Sequence, residues 1–136
     1  MDARDFQQKF QIYQVLNQQR KNILEQLEIL AKALKDSEET EEIIAEQEIS
    51  GGDDVLAPLG KECYVWAKIK DRNKIVVDLG AGIFAEKTFQ EAKRILESRK
   101  LEIKKHKKDL EKRLEKIDTQ LLKMEPELRQ VMEKKD

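Results

Sequence analysis

Cys63-Tyr64-Val65-Trp66-Ala67-Lys68-Ile69, then Asp71-Arg72-Asn73-Lys74, then Ile75-Val76-Val77-Asp78-Leu79-Gly80-Ala81-Gly82-Ile83-Phe84-Ala85, is the stretch on which the fold turns. Cys63, Val65, Ala67 and Ile69 alternate with Tyr64, Trp66 and Lys68, the two-residue period of a strand with one face covered. Asp71 to Lys74 is turn chemistry, and the β-branched run that follows is broken at Gly80-Ala81-Gly82, which suits a tight hairpin needing positive φ. Just upstream, Val55-Leu56-Ala57-Pro58-Leu59 is a short strand whose proline confines it to an edge or a strand end. Two β-hairpins are expected, Val55–Ile69 and Ile75–Lys87.

Outward from this centre the composition changes. Residues 1–49 contain neither glycine nor proline, residues 50–88 hold all five glycines and one proline, and residues 89–136 hold only Pro126. In the first arm Tyr13, Leu16, Arg20, Ile23, Leu27, Leu30 and Leu34 form a heptad-like stripe, with Phe6 and Phe10 extending it upstream. Asp2 and Asp5 sit where a helix N-terminus favours negative charge. From Asp36 to Asp54 there are nine acidic residues, no basic ones, and only Ile43, Ile44 and Ile49 as large apolar groups. The helical signal fades there, and Ser50-Gly51-Gly52-Asp53 reads as a turn.

The second arm opens on Thr88-Phe89-Gln90-Glu91, a capping box. Its stripe runs Phe89, Ala92, Leu96, Arg99, Ile103, His106, Leu110, Leu114, Ile117, Leu121, Met124, Leu128 and Val131, with a stutter around Leu110. Each arm, at about 40 residues, is on the order of 60 Å long. One apolar seam on a long helix stays wet unless a second helix covers it, so the arms are expected to pack as an antiparallel coiled coil. That places acidic residues 36–48 opposite Lys93, Arg94, Arg99 and Lys100.

Two-stranded hairpins are marginal alone. Val55, Leu56, Leu59, Tyr64, Val65, Trp66 and Ile69 in the first, with Ile75, Val76, Val77, Leu79, Ile83 and Phe84 in the second, are the expected assembly residues. They leave sheet edges and an apolar face that call for hairpins of other chains. The expected fold is therefore α+β and predominantly α: an antiparallel two-helix coiled-coil hairpin with two central β-hairpins that join an oligomeric β-barrel. It is read as one domain spanning 1–136, with helix over 1–49, hairpins over 50–88 and helix over 89–136.

Charged residues make up 40% of the chain and aromatics 5%, which suits an elongated seam better than a globular core. The net charge of −1 gives no long-range pull toward nucleic acid or an anionic membrane. Residues 99–116 carry nine Lys or Arg against four Asp or Glu; without interleaved aromatics they read as a solvated, salt-bridged face rather than a nucleic-acid site. The first residues lack an apolar leader and no window approaches a membrane span. Cys63 is the single cysteine and reads as a small buried side chain in a reducing, cytoplasmic setting. His106 is the single histidine and reads as interfacial. Gly80-Ala81-Gly82 lacks the third glycine of a phosphate loop. No catalytic set, cofactor site or metal site is expected.

The plan of helix, two hairpins and helix resembles the α class of prefoldin subunits, as found in archaea and related to the eukaryotic α type. Val55 to Gly60, Tyr64 to Ile69, Val76 to Gly82 and Glu86-Lys87-Thr88 resemble that family's central segment, and Leu122 to Glu127 carries a proline where archaeal α subunits often have one. The resemblance implies a chaperone hexamer of two α-type and four β-type subunits whose hairpins form a double β-barrel. It also implies that arm tips hold unfolded polypeptides without ATP and pass them to a group II chaperonin. The acidic stretch Glu38–Asp54 departs from the pattern. A coiled-coil scaffold or filament-forming homo-oligomer of the same shape is the alternative.

Both chain ends fall at the tip of the expected hairpin. Phe6, Phe10, Ile12, Tyr13, Leu121, Leu122, Met124, Leu128, Val131 and Met132 are the candidate client-binding residues, with Val15 beside them. Neighbours in a helix point about 100° apart, so the adjacent pairs Leu121/Leu122 and Val131/Met132 cannot both enter one seam. Phe10, Tyr13, Leu121 and Met124 suit the seam as well as an outward surface. Pro126 removes a helical hydrogen bond, which leads us to expect splaying or fraying over the last ten residues.

Overall fold

A computed structural model describes residues 2–50, 52 and 54–134, without the side chains of 48–50 and 134. The elements run α1 (Ala3–Ser50), β1 (Asp54–Gly60), β2 (Cys63–Lys68), β3 (Ile75–Gly80), β4 (Ile83–Lys87) and α2 (Phe89–Lys134). The turn read at residues 50–53 lies partly outside the described residues, as does the side chain of Ile49.

Helix α1 starts on an Asp2 cap, whose Oδ1 accepts a hydrogen bond from the Asp5 N–H at 2.8 Å. This satisfies one of the donors that a helix N-terminus leaves free. The covered stripe is Phe6, Lys9, Tyr13, Leu16, Arg20, Ile23, Leu27, Leu30, Leu34, Ser37, Glu41 and Ile44, in unbroken alternation of three- and four-residue steps. The heptad thus continues through the acidic stretch where the apolar signal faded, because Ser37 and Glu41 hold seam positions with polar side chains. Phe10 lies beside this stripe, 37% exposed, and Lys9 takes the position upstream of Tyr13.

The capping box at the start of α2 is reciprocal: Glu91 N–H donates to Thr88 Oγ1 at 3.1 Å and Thr88 N–H to Glu91 Oε2 at 3.3 Å. Its covered stripe includes Ala92, Leu96, Arg99, Ile103, Lys107, Leu110, Leu114, Ile117, Leu121, Met124, Leu128 and Val131. His106 is exposed and Lys107 is half-buried instead, which moves the two consecutive four-residue steps from Leu110 to Ile103. A lysine can occupy such a position by laying its methylenes along the seam and carrying its ammonium to water. Among the described residues α2 continues past Pro126 to Lys134 rather than splaying, and Leu128 is buried at 5% exposure; the last two of the ten residues expected to fray lie outside the described ones.

The strands form two separate antiparallel pairs, β1 with β2 and β3 with β4. In the first, Val55 faces Ala67, Leu56 faces Trp66, Ala57 faces Val65 and Pro58 faces Tyr64. In the second, Val76 faces Glu86, Val77 faces Ala85 and Asp78 faces Phe84. Each strand pair shifts register beside its turn, at Pro58/Gly60 and at Asp78/Gly80. Ala81 and Gly82 both have positive φ, 52° and 74°, as a two-residue type I′ turn requires. The first hairpin spans Asp54–Lys68, so Ile69 falls just outside β2.

The chain divides into two compact units, residues 1–33 with 103–136, and residues 34–102. In the first, Ile23, Leu110 and Ile117 form the buried cluster, with Leu16, Leu27, Leu30, Leu114 and Leu121 packed against it. In the second, the buried apolar side chains are Ile44, Val77 and Ala92.

Candidate interaction surfaces

Within the first unit the arms are tied by ion pairs as well as by the seam. Arg20 Nε donates to Asp118 Oδ1 at 2.7 Å and Lys9 Nζ to Glu127 Oε2 at 2.8 Å. These pairs are about 40–50% exposed and set register more than they add stability. Phe6 and Phe10 stack with ring centroids 6.0 Å apart.

The candidate client-binding residues divide by exposure. Leu128 is buried in the seam, which removes it from the outward set: it continues the heptad from Leu121 and Met124. Phe6, Tyr13, Leu121, Met124 and Val131 are half-buried. Ile12, Leu122 and Met132 point outward at 52%, 69% and 58% exposure, joined by Phe10 and Val15. Gln8, Gln11, Ile12, Val15 and Leu16 line a shallow groove on α1. Residues 10–19 hold no charged side chain, unusual in a chain that is 40% charged. The apolar surplus stands out in the sequence by itself; the neutral setting is carried by the run of Gln and Asn around Ile12 and Val15, a signal that apolar periodicity does not register.

In the second unit Lys100 Nζ donates to Glu41 Oε2 at 3.0 Å, joining the acidic stretch to one of the basic residues expected to oppose it. That hydrogen bond, chiefly, raises the Lys100 ammonium above a lysine's ordinary 10.5. Glu41 Oε1 and Ser37 Oγ are buried without a hydrogen-bond partner among the described residues. Arg99 donates instead to the Asp78 carbonyl, and Arg72 to the Gln47 carbonyl at 2.8 Å. The first fastens β3 backbone to a side chain of α2, and the second fastens a loop side chain to the backbone of α1.

The hairpins present the expected assembly residues on unequal faces. Val55 and Ala57 with Ala67 are half-covered, whereas Leu56, Leu59, Tyr64 and Trp66 are 55–74% exposed. In the second hairpin Val77 is buried within the chain, so it is not available to a neighbour, and Ile75 is half-buried. Val76, Ile83 and Phe84 are 60–63% exposed, and Val65 and Leu79 somewhat less. Cys63 is exposed rather than buried, because it pairs with Gly60 at the turn end of the hairpin.

Among the described residues no group of three or more His, Cys, Asp or Glu is placed to hold a metal. No helix among them is long and apolar enough to cross a membrane.

Comparison with known proteins agrees with this architecture. Residues 16–134 match the family model described as prefoldin subunit. A prefoldin subunit alpha of Methanococcoides burtonii is 37% identical over 93 residues, 66% of each chain. One from Methanosarcina barkeri is 42% identical over 52 residues, 38% of this chain and 36% of the relative. One from Methanopyrus kandleri is 32% identical over 59 residues, 43% of this chain and 38% of the relative. The aligned stretches thus span from about a third to two thirds of these relatives' own lengths. In fold, the chain is similar to one from the cryo-EM structure of filamentous PFD from Methanocaldococcus jannaschii, with a TM-score of 0.74 at 19% identity, over 86% of this chain and 98% of that one. With paired heptad helices, two central hairpins and a family match over most of its length, this chain belongs to the prefoldin subunit family.

Proposed function

We propose that this chain is an ATP-independent holdase subunit that binds unfolded polypeptides through the outward apolar residues of the unit containing both chain termini. The observation that carries the reading is the outward placement of Phe10, Ile12, Val15, Leu122 and Met132 beside a closed seam. Apolar side chains of this kind already have a seam available to neighbours one position away, so their exposure is not forced by the coiled coil. Methionine and leucine on a helix flank adapt to varied clients without a shaped pocket. The half-buried Phe6, Tyr13, Leu121, Met124 and Val131 support this surface from beneath.

The exposed hairpin faces support assembly with other subunits. Leu56, Trp66 and Tyr64 on one hairpin and Val76 and Phe84 on the other are large side chains that a two-stranded sheet cannot cover alone. The partners proposed are β-type prefoldin subunits, four with two copies of this chain, acting in the cytoplasm and handing clients to a group II chaperonin. A filament of copies of this chain is the second reading, favoured by the filamentous source of the similar fold. Native mass of the chain with and without a β-type subunit separates a closed hexamer from a growing series.

The test of holding is light scattering from a heat-unfolded client without nucleotide. Ile12→Lys, Leu122→Lys and Met132→Lys together are expected to lower suppression several-fold at unchanged native mass; undiminished suppression overturns the reading.

A further inference from the structure

Charge is divided unevenly between the two units: residues 1–33 with 103–136 carry 16 Lys or Arg against 12 Asp or Glu, and residues 34–102 carry 11 against 16. The excess in the first unit is concentrated on α2. Between residues 104 and 116 stand seven basic side chains against Asp109, Glu111 and Glu115. At about 100° per residue, Lys104, Lys105, Lys108, Lys112 and Lys116 occupy an arc of roughly 120° directly opposite the seam of Leu110, Leu114 and Ile117, with Glu115 the one carboxylate inside it. All five lysines are exposed.

The chain forms ion pairs elsewhere along the same helix, at Lys100, Asp118 and Glu127. Among the described residues none of these five lysines makes one. The face expected to be salt-bridged thus has carboxylates nearby at Asp109, Glu111 and Glu115 but no ion pair closed on these lysines among the described residues. Nor does the facing arm neutralise it: from residue 20 to 33, α1 carries Arg20, Lys21 and Lys32 against Glu25 and Glu28. Lys104, Lys108, Lys112 and Lys116 succeed one another at four-residue steps, the spacing at which like charges on a helix repel. These three like-charge steps are offset only in part by Glu111 and Glu115, three residues after Lys108 and Lys112, and the exposed row adds nothing to the packing of the seam.

We propose that this outer face of α2 docks an acidic polypeptide segment, a run of Asp and Glu. The lysine row rises about 18 Å, the span of five or six residues of extended chain at about 3.3 Å each. Ammonium groups on flexible stems act as point charges, so they read charge density rather than the planar geometry of one carboxylate. A polypeptide fits better than nucleic acid because no aromatic side chain stands in the row to stack a base. This site is separate from the neutral, apolar surface around Ile12 and takes chains of opposite character.

The test uses the full-length protein in its assembled form, with a fluorescent (Glu)8 peptide, a (Gln)8 control and an eight-nucleotide oligo(dT). Binding of (Glu)8 is expected at low salt, weakening at least tenfold between 50 and 200 mM salt as counterion-driven contacts do, with none to (Gln)8. The variant Lys104→Gln/Lys108→Gln/Lys112→Gln relieves repulsion and so keeps its helix, checked by circular dichroism; it is expected to lose tenfold or more in (Glu)8 affinity. Its suppression of aggregation of an uncharged client stays unchanged, which keeps this result apart from the holding test. No (Glu)8 binding at low salt, or equal binding by the variant, overturns the site; tighter binding of oligo(dT) than of (Glu)8 overturns the partner class.

Discussion

Ser37, Lys100 and Ala81 show how single side chains depart from what their positions ask. Ser37 holds a seam position with a buried hydroxyl that has no hydrogen-bond partner among the described residues. Ser37→Ala removes that desolvated group and improves helix propensity, so a gain of about 1 kcal/mol is expected, read as a higher melting temperature. Ala81 holds a positive φ that glycine adopts freely, and Ala81→Gly is expected to raise thermal stability while Gly82→Ala lowers it by about 1 kcal/mol. For Lys100 the sign follows from its raised value: protonation is favoured in the folded chain, so the stabilisation is complete below 10.5 and disappears as pH rises through the higher folded value. Wild type and Lys100→Gln should therefore differ in melting temperature at neutral pH and converge in strongly alkaline solution. Hydropathy could not expose Ser37 or Glu41 as seam residues, because a polar side chain gives no apolar signal even where the three-four spacing persists.

At the scale of elements, the hairpins and the capping box were legible because turn chemistry and two-residue alternation are local. The part of α1 beyond Leu34 was not, since Ser37 and Glu41 hold its seam before Ile44, and the position of the α2 stutter was not, since His106 and Lys107 fit the spacing equally well. Burial chose Lys107. The stretch after Pro126 shows tertiary packing overruling propensity: Leu128 enters the seam and holds the helix together past a missing hydrogen bond. Pro126→Ala should then increase amide-exchange protection over residues 126–134 with little change at Leu110. Truncation of the best-buried leucine, Leu110→Ala, is expected to cost roughly 2–4 kcal/mol and to lower the melting temperature of the arm.

For the molecule as a whole, the fold was visible in the distribution of glycine, proline and heptads, whereas the division of outward from seam-facing residues in the first unit required burial. Ile12, Leu122 and Met132 separate from Leu128 only once the heptad phase is fixed. The central claim, that clients are held by these outward residues and not by exposed apolar groups in general, is tested most directly by photo-crosslinking. A photoreactive amino acid is placed at Leu122 or, as a control of comparable exposure, at Leu101, which are 69% and 62% exposed. Each assembly is mixed with an unfolded client and irradiated. The client is expected to attach at 122 and not at 101; equal attachment at both, or attachment at 101 alone, contradicts the account.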